Sequence, residues 1–575
     1  MKLLVRQYVS SLRERGELDA ILPDLLSELG YDVISRPSVG TRQYGVDIGA
    51  VGRDEDGERK LFLFSVKQGD LTRTDWDSSP QALRPSLDEI CEIYLRLRVA
   101  RQHQKLKVVI CLCFGGDVLE AVQDNVTGYI EAHSNERISF QVWNGDVIAS
   151  LLIKGILRES LLPSDLRTSF QKAVAMVDEP EIAFLHFGRL VRNLCARNHR
   201  STKARASTIR QLYLMLWILF VWARDAGNVE SAYQSSELAI LHAWQLIKTE
   251  TGKDTAASRE LGETFNELVE LHFSIFDELV AAKILPHVDK LHAISMAVGS
   301  SSPVDVNLKM FDLAGRIALH ILWRLWMRPG DATLPAVRGD WDDASISELT
   351  QKLVLLIRNN PTLLSPLQDA QSIEIALGLM VFTMQEDWQK AGANWIEALI
   401  DNIIFAYRTH GRYPTIEAAY RELLSHPREG TDEYRKEKTA GSTIVPLLRL
   451  WETKLPSKQP LRFAKFTSEF LSHCNCQLWF PDEDSEDRFY TGDDRHGSML
   501  NGVAVGEDLA TGWEAIVGET EGGSHFSGLS AIELQHWPIV LMACRHYRIP
   551  VPPNLWIGLV ESNDAASDEE PGHQS

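Results

Sequence analysis

Between Gly45 and Asp70 the chain reads GVDIGAVGRDEDGERKLFLFSVKQGD, and this stretch narrows the fold more than any other. Val46 to Val51 alternates apolar residues with Asp47 and Gly49, Asp54-Glu55-Asp56-Gly57 supplies turn chemistry, and Arg59 to Val66 resumes as a strongly β-forming run. The spacing predicts a hairpin. Along its second strand Leu61, Leu63, Ser65 and Lys67 point one way, while Phe62, Phe64 and Val66 point the other. Both faces are largely apolar, which places this strand in the middle of a sheet. A lysine at its end, beside an aspartate on the paired strand, is costly to bury unless it is paired or used.

The flanking sequence supplies the remaining elements of a small α/β domain. Glu17 to Leu29 has apolar residues at helical spacing, with Pro23 as an objection to an unbroken helix and Gly30 as a C-cap. Tyr31 to Ser35 reads as a strand, and a polar loop from Arg36 to Tyr44 leads into the hairpin. Beyond it, Leu87 to Arg101 is helical, Lys107 to Phe114 is a buried strand, Val118 to His133 is a helix and Ile138 to Trp143 is a strand, followed by a helix through Leu152. This order predicts a three-layer α/β domain over residues 1–160.

After about Pro163 strand signals fade and long amphipathic helices take over. The expected division is an α-helical domain over 161–460, a mixed and irregular helical segment over 461–561 and a disordered acidic tail over 562–575. Pro481 to Gly506 reads as a long acidic loop and Leu529 to Tyr547 as a last helix, with Pro550 to Leu559 extended. The longest apolar run, Leu212 to Ala223, is shorter than the roughly 20 residues of a membrane span and predicts a buried helix. The N-terminus has no secretory pattern, so a cytoplasmic protein with no membrane partner is expected. Seven cysteines without a regular framework fit buried thiols in a reducing compartment. A net charge of −20 argues against a surface that coats nucleic acid indiscriminately, and leaves room for a local basic cleft.

Asp47, with Ser65-Val66-Lys67 following, resembles the D-x(n)-(E/D)-x-K core of the PD-(D/E)XK, or restriction-endonuclease-like, nucleases. A helix ending in LGY before a strand, followed by GVD, is closest to the Mrr-like branch; the resemblance covers roughly residues 10 to 155. It implies a metal-dependent nuclease using Mg²⁺ or Mn²⁺, with DNA as the expected substrate. Asp47 would be a metal ligand, Lys67 would orient or activate the water, the Val66 carbonyl would be a further ligand, and Glu17 or Asp19 would supply the helix acid.

The departure is Ser65, where the family has Glu, Asp or Gln. Three outcomes follow: an acid such as Glu17, Asp19 or Asp70 replaces it; Gln68 contributes its amide oxygen; or the domain has lost catalysis and only binds. Arg36 and Arg42, with Arg197, Arg200, Lys203 and Arg205 of a basic cluster that also includes Arg189, Arg192, His199 and Arg210, are candidates for holding phosphates. The alternative for the cluster is an ordinary solvated helix face. Nuclease domains of this type fused to long helical regions look like bacterial defence proteins against phage or foreign DNA, acting as homo-oligomers or with a defence-system partner. The rival reading is a catalytically degenerate nuclease-fold protein that binds nucleic acid or a protein partner.

Overall fold

The computed structural model describes residues 2–561 except 13, 15–17, 37–43, 55, 80, 156–163, 198, 200, 329–342, 454, 456–460, 493–494, 507–508 and 523. It is 64% helical, with a small mixed five-stranded sheet in the N-terminal part. Two compact units divide the chain, residues 1–235 and 236–575.

The first unit opens with α1 (Lys2–Ser11) and α2 (Asp19–Glu28), followed by strand β1 (Asp32–Ser35). The residues before Leu12 carry no helix expectation, yet Val5, Tyr8 and Val9 are fully buried and make α1 part of the core. Pro23 does not break α2, because one turn into the helix its missing N–H removes a single bond. Next come β2 (Ile48–Arg53) and β3 (Arg59–Lys67), the expected hairpin, paired antiparallel from Ile48 opposite Phe64 to Arg53 opposite Arg59. The helix expected over 87–101 begins earlier and is broken into α3 (Arg73–Asp77), α4 (Leu83–Glu89), a π-turn at Ile90–Tyr94 and α5 (Leu95–Leu97). Strand β4 (Val108–Phe114), α6 (Glu120–His133), β5 (Ile138–Trp143) and α7 (Gly145–Gly155) complete the α/β core.

The sheet order is β1-β2-β3-β4-β5, with β3, β4 and β5 parallel. β3 is therefore central, as its two apolar faces require. One face, formed by Leu61, Leu63, Val108, Ile110 and Leu112, packs under α3, α4 and α6 through Trp76, Leu83, Leu87 and Val122. On the other face, Phe64 meets Trp143 edge-on at 5.0 Å, and α1 packs against α7.

Three helices follow in the same unit: α8 (Ser164–Ala175), α9 (Pro180–Cys195) and α10 (Thr202–Asp225). α10 is long and apolar enough to cross a membrane by length and composition, but 89% of its most apolar window is buried inside the protein. Ser201 caps it, its hydroxyl accepting the Ala204 N–H at 3.2 Å. Ser201→Ala is expected to cost about 1 kcal/mol, read as a shift in the denaturant midpoint at unchanged slope.

α11 (Glu230–Ile247) spans the division between the units, and α12 (Ala256–Phe276), α13 (Ala293–Ala297), α14 (Pro303–Trp326), α15 (Asp343–Asn359), α16 (Ser372–Thr383) and α17 (Gln389–Arg408) build the second. α14 lies against α15, α16 and the helix Trp537–Tyr547. A buried charge cluster joins these helices. Arg545 donates to Glu237 and Asp312, each at 2.7 Å, His546 meets Glu237 at 3.1 Å, and Arg548 pairs with Glu374.

Three expectations in this region fail. Pro481 to Gly506 is not a loose acidic loop: Ser498–Leu500 pairs with Leu478–Phe480 as a two-stranded ribbon, and Phe489 and Tyr490 are fully buried. Glu483, Asp484 and Asp487 are exposed, while Asp482 and Glu486 are half-buried in a segment held by its aromatics. The helix expected over 529–547 is split into Ser530–Glu533 and Trp537–Tyr547, with Gln535 at φ 58° between them, and Pro550 to Leu559 contains a 3₁₀ turn and the start of a helix instead of an extended run. The acidic tail, 562–575, lies outside the described residues.

Candidate active site at the end of the central strand

The backbone that delivers Asp47 is unusual for two residues in succession. Tyr44 and Gly45 both have positive φ, 50° and 77°, and a Cβ on Gly45 would lie 2.1 Å from the Ser86 carbonyl oxygen. Only glycine lets the chain pass that close to α4 and still turn into β2. Asp47 then accepts the Val66 N–H through Oδ2 at 2.7 Å, which fixes the carboxylate beside the last residues of β3.

Lys67, at the end of β3, pairs with Glu14 at 3.3 Å. Asp19, in the first turn of α2, and Glu14 both act electrostatically on Asp47, as does Lys67. The structure thus brings Asp47, Lys67 and Asp19 together, and adds Glu14, which sequence reasoning missed. Glu17 lies outside the described residues.

Burial pushes the Asp47 carboxyl up from 3.8 to about 6; the Val66 N–H and Lys67 oppose this, and the charges of Glu14 and Asp19 add to it. A carboxyl raised on folding makes stability fall as pH rises from the unfolded to the folded value, and the loss is complete above the latter. At roughly 1.4 kcal/mol per tenfold change in proton affinity, this amounts to about 3 kcal/mol. Asp47→Asn, which keeps an acceptor for Val66, is therefore expected to gain up to about that much on the parent between pH 4 and 6. Urea midpoints measured across that range for both proteins check it; parallel curves would exclude it.

Other expected residues fall elsewhere. Ser65 is 1% exposed and its Oγ has no hydrogen-bond partner among the described residues, so it offers nothing to a ligand in solvent. Gln68 is exposed. Asp70 accepts the Asp117 N–H at 2.8 Å and so braces the neighbouring loop.

That loop belongs to a pattern that sequence reading overlooked: Gly69-Asp70, Gly116-Asp117 and Gly145-Asp146 stand at the ends of β3, β4 and β5. The Gly116 N–H donates to the Gly69 carbonyl at 2.8 Å, and the Gly145 N–H to the Gly116 carbonyl at 2.9 Å. Arg6 of α1 clasps the row, meeting Asp117 at 2.8 Å and Asp146 at 3.4 Å and donating to the Gly115 carbonyl at 2.9 Å. A Cβ on Gly145 would lie 2.1 Å from that carbonyl oxygen.

The basic residues divide in use. Arg36 lies 3.9 Å from the buried carboxylate of Asp24, and Arg210 reaches the same carboxylate at 3.9 Å and Glu28 at 2.8 Å. Arg210 is 4% exposed, so it is a core ion-pair residue and not a phosphate contact. Lys203 is exposed, as are Arg189 and Arg192, while Arg197 and Arg205 are half-buried; Arg42 and Arg200 lie outside the described residues. His199 is used internally, its Nε2 on the Leu194 carbonyl at 3.2 Å.

Among the described residues no three His, Cys, Asp or Glu side chains lie close enough together to hold a metal ion. Comparison with protein-family models, with curated proteins and with solved structures finds no match to this chain.

Proposed function

We propose that the N-terminal unit is a metal-dependent nuclease that hydrolyses phosphodiester bonds, with DNA as its substrate. The observation that carries this reading is the convergence of Asp47, Glu14 and Asp19 with Lys67 at the end of the central strand. Glu14 and Asp19 both oppose the charge of the buried Asp47, and a divalent cation held by Asp47 with one of them would relieve that repulsion. Mg²⁺ takes only one or two protein carboxylates and keeps several waters, so Asp47 with Glu14 or Asp19, and the Val66 carbonyl, is a sufficient donor set. When bound, such an ion supplies charge for the phosphate and lowers the pKa of a water.

The chain's own residues do the rest. The Val66 N–H holds Asp47 in one orientation, and Lys67 places a positive group beside it, kept in position by Glu14. In the same reading the protein is a bacterial defence effector against phage or foreign DNA, regulated by its helical region; this role rests on the family resemblance.

A second reading, a nuclease-like unit that only binds nucleic acid or a protein, is favoured by one observation: the position equivalent to the family's second acid is the buried Ser65, whose Oγ has no hydrogen-bond partner among the described residues. Incubation of the full chain with supercoiled plasmid, single-stranded DNA and RNA, in Mg²⁺ or Mn²⁺ against a chelator control, separates the two. Metal-dependent cleavage of the plasmid supports the nuclease. Retention of DNA without cleavage in either metal supports the binding module and overturns the first reading.

A further inference from the structure

The second unit contains a cavity of about 370 Å³ whose walls include Trp326, Met380, Met384, Phe526, Trp537 and Leu555. This is within the size range of small-molecule sites, roughly 300–1,000 Å³. A smaller cavity of about 210 Å³ is lined by Asp482, Glu519 and His525, and the two share Phe526 and Asn554. The larger chamber is apolar and aromatic; the smaller one carries the acids.

Several features make the larger chamber a built one. Trp326 is fixed by its Nε1–H, which donates to the Gln535 carbonyl at 2.7 Å, and by an edge-on contact with Trp323 at 5.4 Å. Gln535, on the wall, is held at φ 58°, a conformation that side chains rarely adopt and that tends to gather at sites of function. Met380 and Met384 stand one helical turn apart on α16 and offer a soft, polarisable surface to a ring. Asn554 has a buried Oδ1 with no hydrogen-bond partner among the described residues, an acceptor whose desolvation is not yet compensated.

The charge of the site is one-sided. Among the described residues no lysine or arginine lines either chamber. Burial would raise the Asp482 carboxyl, but the N–H groups of Gly497 and Asp484 and the Ser485 hydroxyl outweigh it and keep the group ionised. An anionic ligand therefore meets repulsion without a partner, and a cation meets two carboxylates.

We propose that the paired cavities form a small-molecule site for a cationic aromatic amine. The flat ring lies in the apolar chamber with a ring N–H on Asn554 Oδ1, and the ammonium lies between Asp482 and Glu519. The site is independent of the nuclease reading, since all its residues belong to the second unit.

Ligand-observed saturation-transfer NMR on the full chain tests this with four probes: tryptamine, indole, 2-(naphthalen-1-yl)ethylamine and indole-3-acetate. Tryptamine is expected to bind tightest. Indole, without the ammonium, and the naphthyl amine, without the ring N–H, are each expected to be weaker by about tenfold, and indole-3-acetate is expected to give no signal. Asn554→Leu should remove the preference for tryptamine over the naphthyl amine, and Glu519→Gln should weaken tryptamine while leaving indole unchanged. Met384→Trp, which fills the chamber from its half-exposed wall, should abolish binding of all probes in a protein with a parental circular dichroism spectrum. Absence of transfer to every probe, equal binding of indole-3-acetate and tryptamine, or unchanged binding in Asn554→Leu would overturn the proposal.

Discussion

Asp47→Ala and Lys67→Ala are each expected to reduce metal-dependent cleavage by at least about 10²-fold, the usual scale for losing one positioned acid–base or charged group. Neither change should unfold the protein. Removing the Asp47 carboxylate leaves the Val66 N–H without its partner, a cost of about 1–3 kcal/mol, but it also removes a group that burial holds at about 6, and the two effects oppose each other. Losing Lys67 leaves Glu14 unpaired, yet the Glu14 side chain is 33% exposed and stays hydrated. Because a metal ion competes with the proton for Asp47, the parent's apparent metal affinity should rise with pH through about 6 and level off above it. Rates measured over a metal titration and a pH series, with melting curves of each variant, check these outcomes. Undiminished cleavage in both alanine variants would remove the site from the reaction.

The second large effect is on stability. Glu237→Gln is expected to destabilise the protein by about 3–5 kcal/mol near neutral pH, because it leaves the guanidinium of Arg545, 5% exposed, facing one carboxylate where it now has two. Burial alone would raise the Glu237 carboxyl; Arg545 and then His546 more than offset this and hold it at about 2, against an ordinary value of 4.5. A carboxyl lowered on folding contributes stability that is present above its unfolded value and is lost as pH falls toward its folded one. The difference between parent and variant should therefore be constant above about pH 5 and shrink toward pH 2. The double change Glu237→Leu with Arg545→Met should cost less than Glu237→Gln alone, since it removes both charges and leaves apolar groups in their place. Guanidinium titrations of the three proteins give the comparison; a loss under about 1 kcal/mol for Glu237→Gln would mean that the pair contributes little.

What could be read from the sequence follows from how local each cause is. The hairpin, the central place of Arg59–Lys67 and the strands at 108–114 and 138–143 announce themselves through side-chain alternation and apolar runs, and the structure has them. The positions of Asp47 and Lys67 come with that register. Helices broken by π-turns or by one residue at positive φ, as at Ile90–Tyr94 and Gln535, give no periodic warning, and their boundaries were misplaced. Glu14 was invisible for another reason: its role depends on a contact with a residue 53 positions away, which no local pattern encodes. The same holds for Arg210, which reads as one of a basic run and is in fact the buried partner of Glu28, and for Glu237 with Arg545. Charged residues that meet across the core look in sequence like any solvated charge.

The row Gly69, Gly116 and Gly145 extends the sheet's hydrogen-bond ladder past the point where the strands end. Amide hydrogens at Gly116 and Gly145, both buried, should consequently exchange with solvent at rates set by opening of the sheet, not at loop rates, although both lie beyond the strand ends. The backbone just past Lys67 is then as stiff as the core beneath it, and in the proposed nuclease reading a nucleic acid arriving there has to bend to fit the protein.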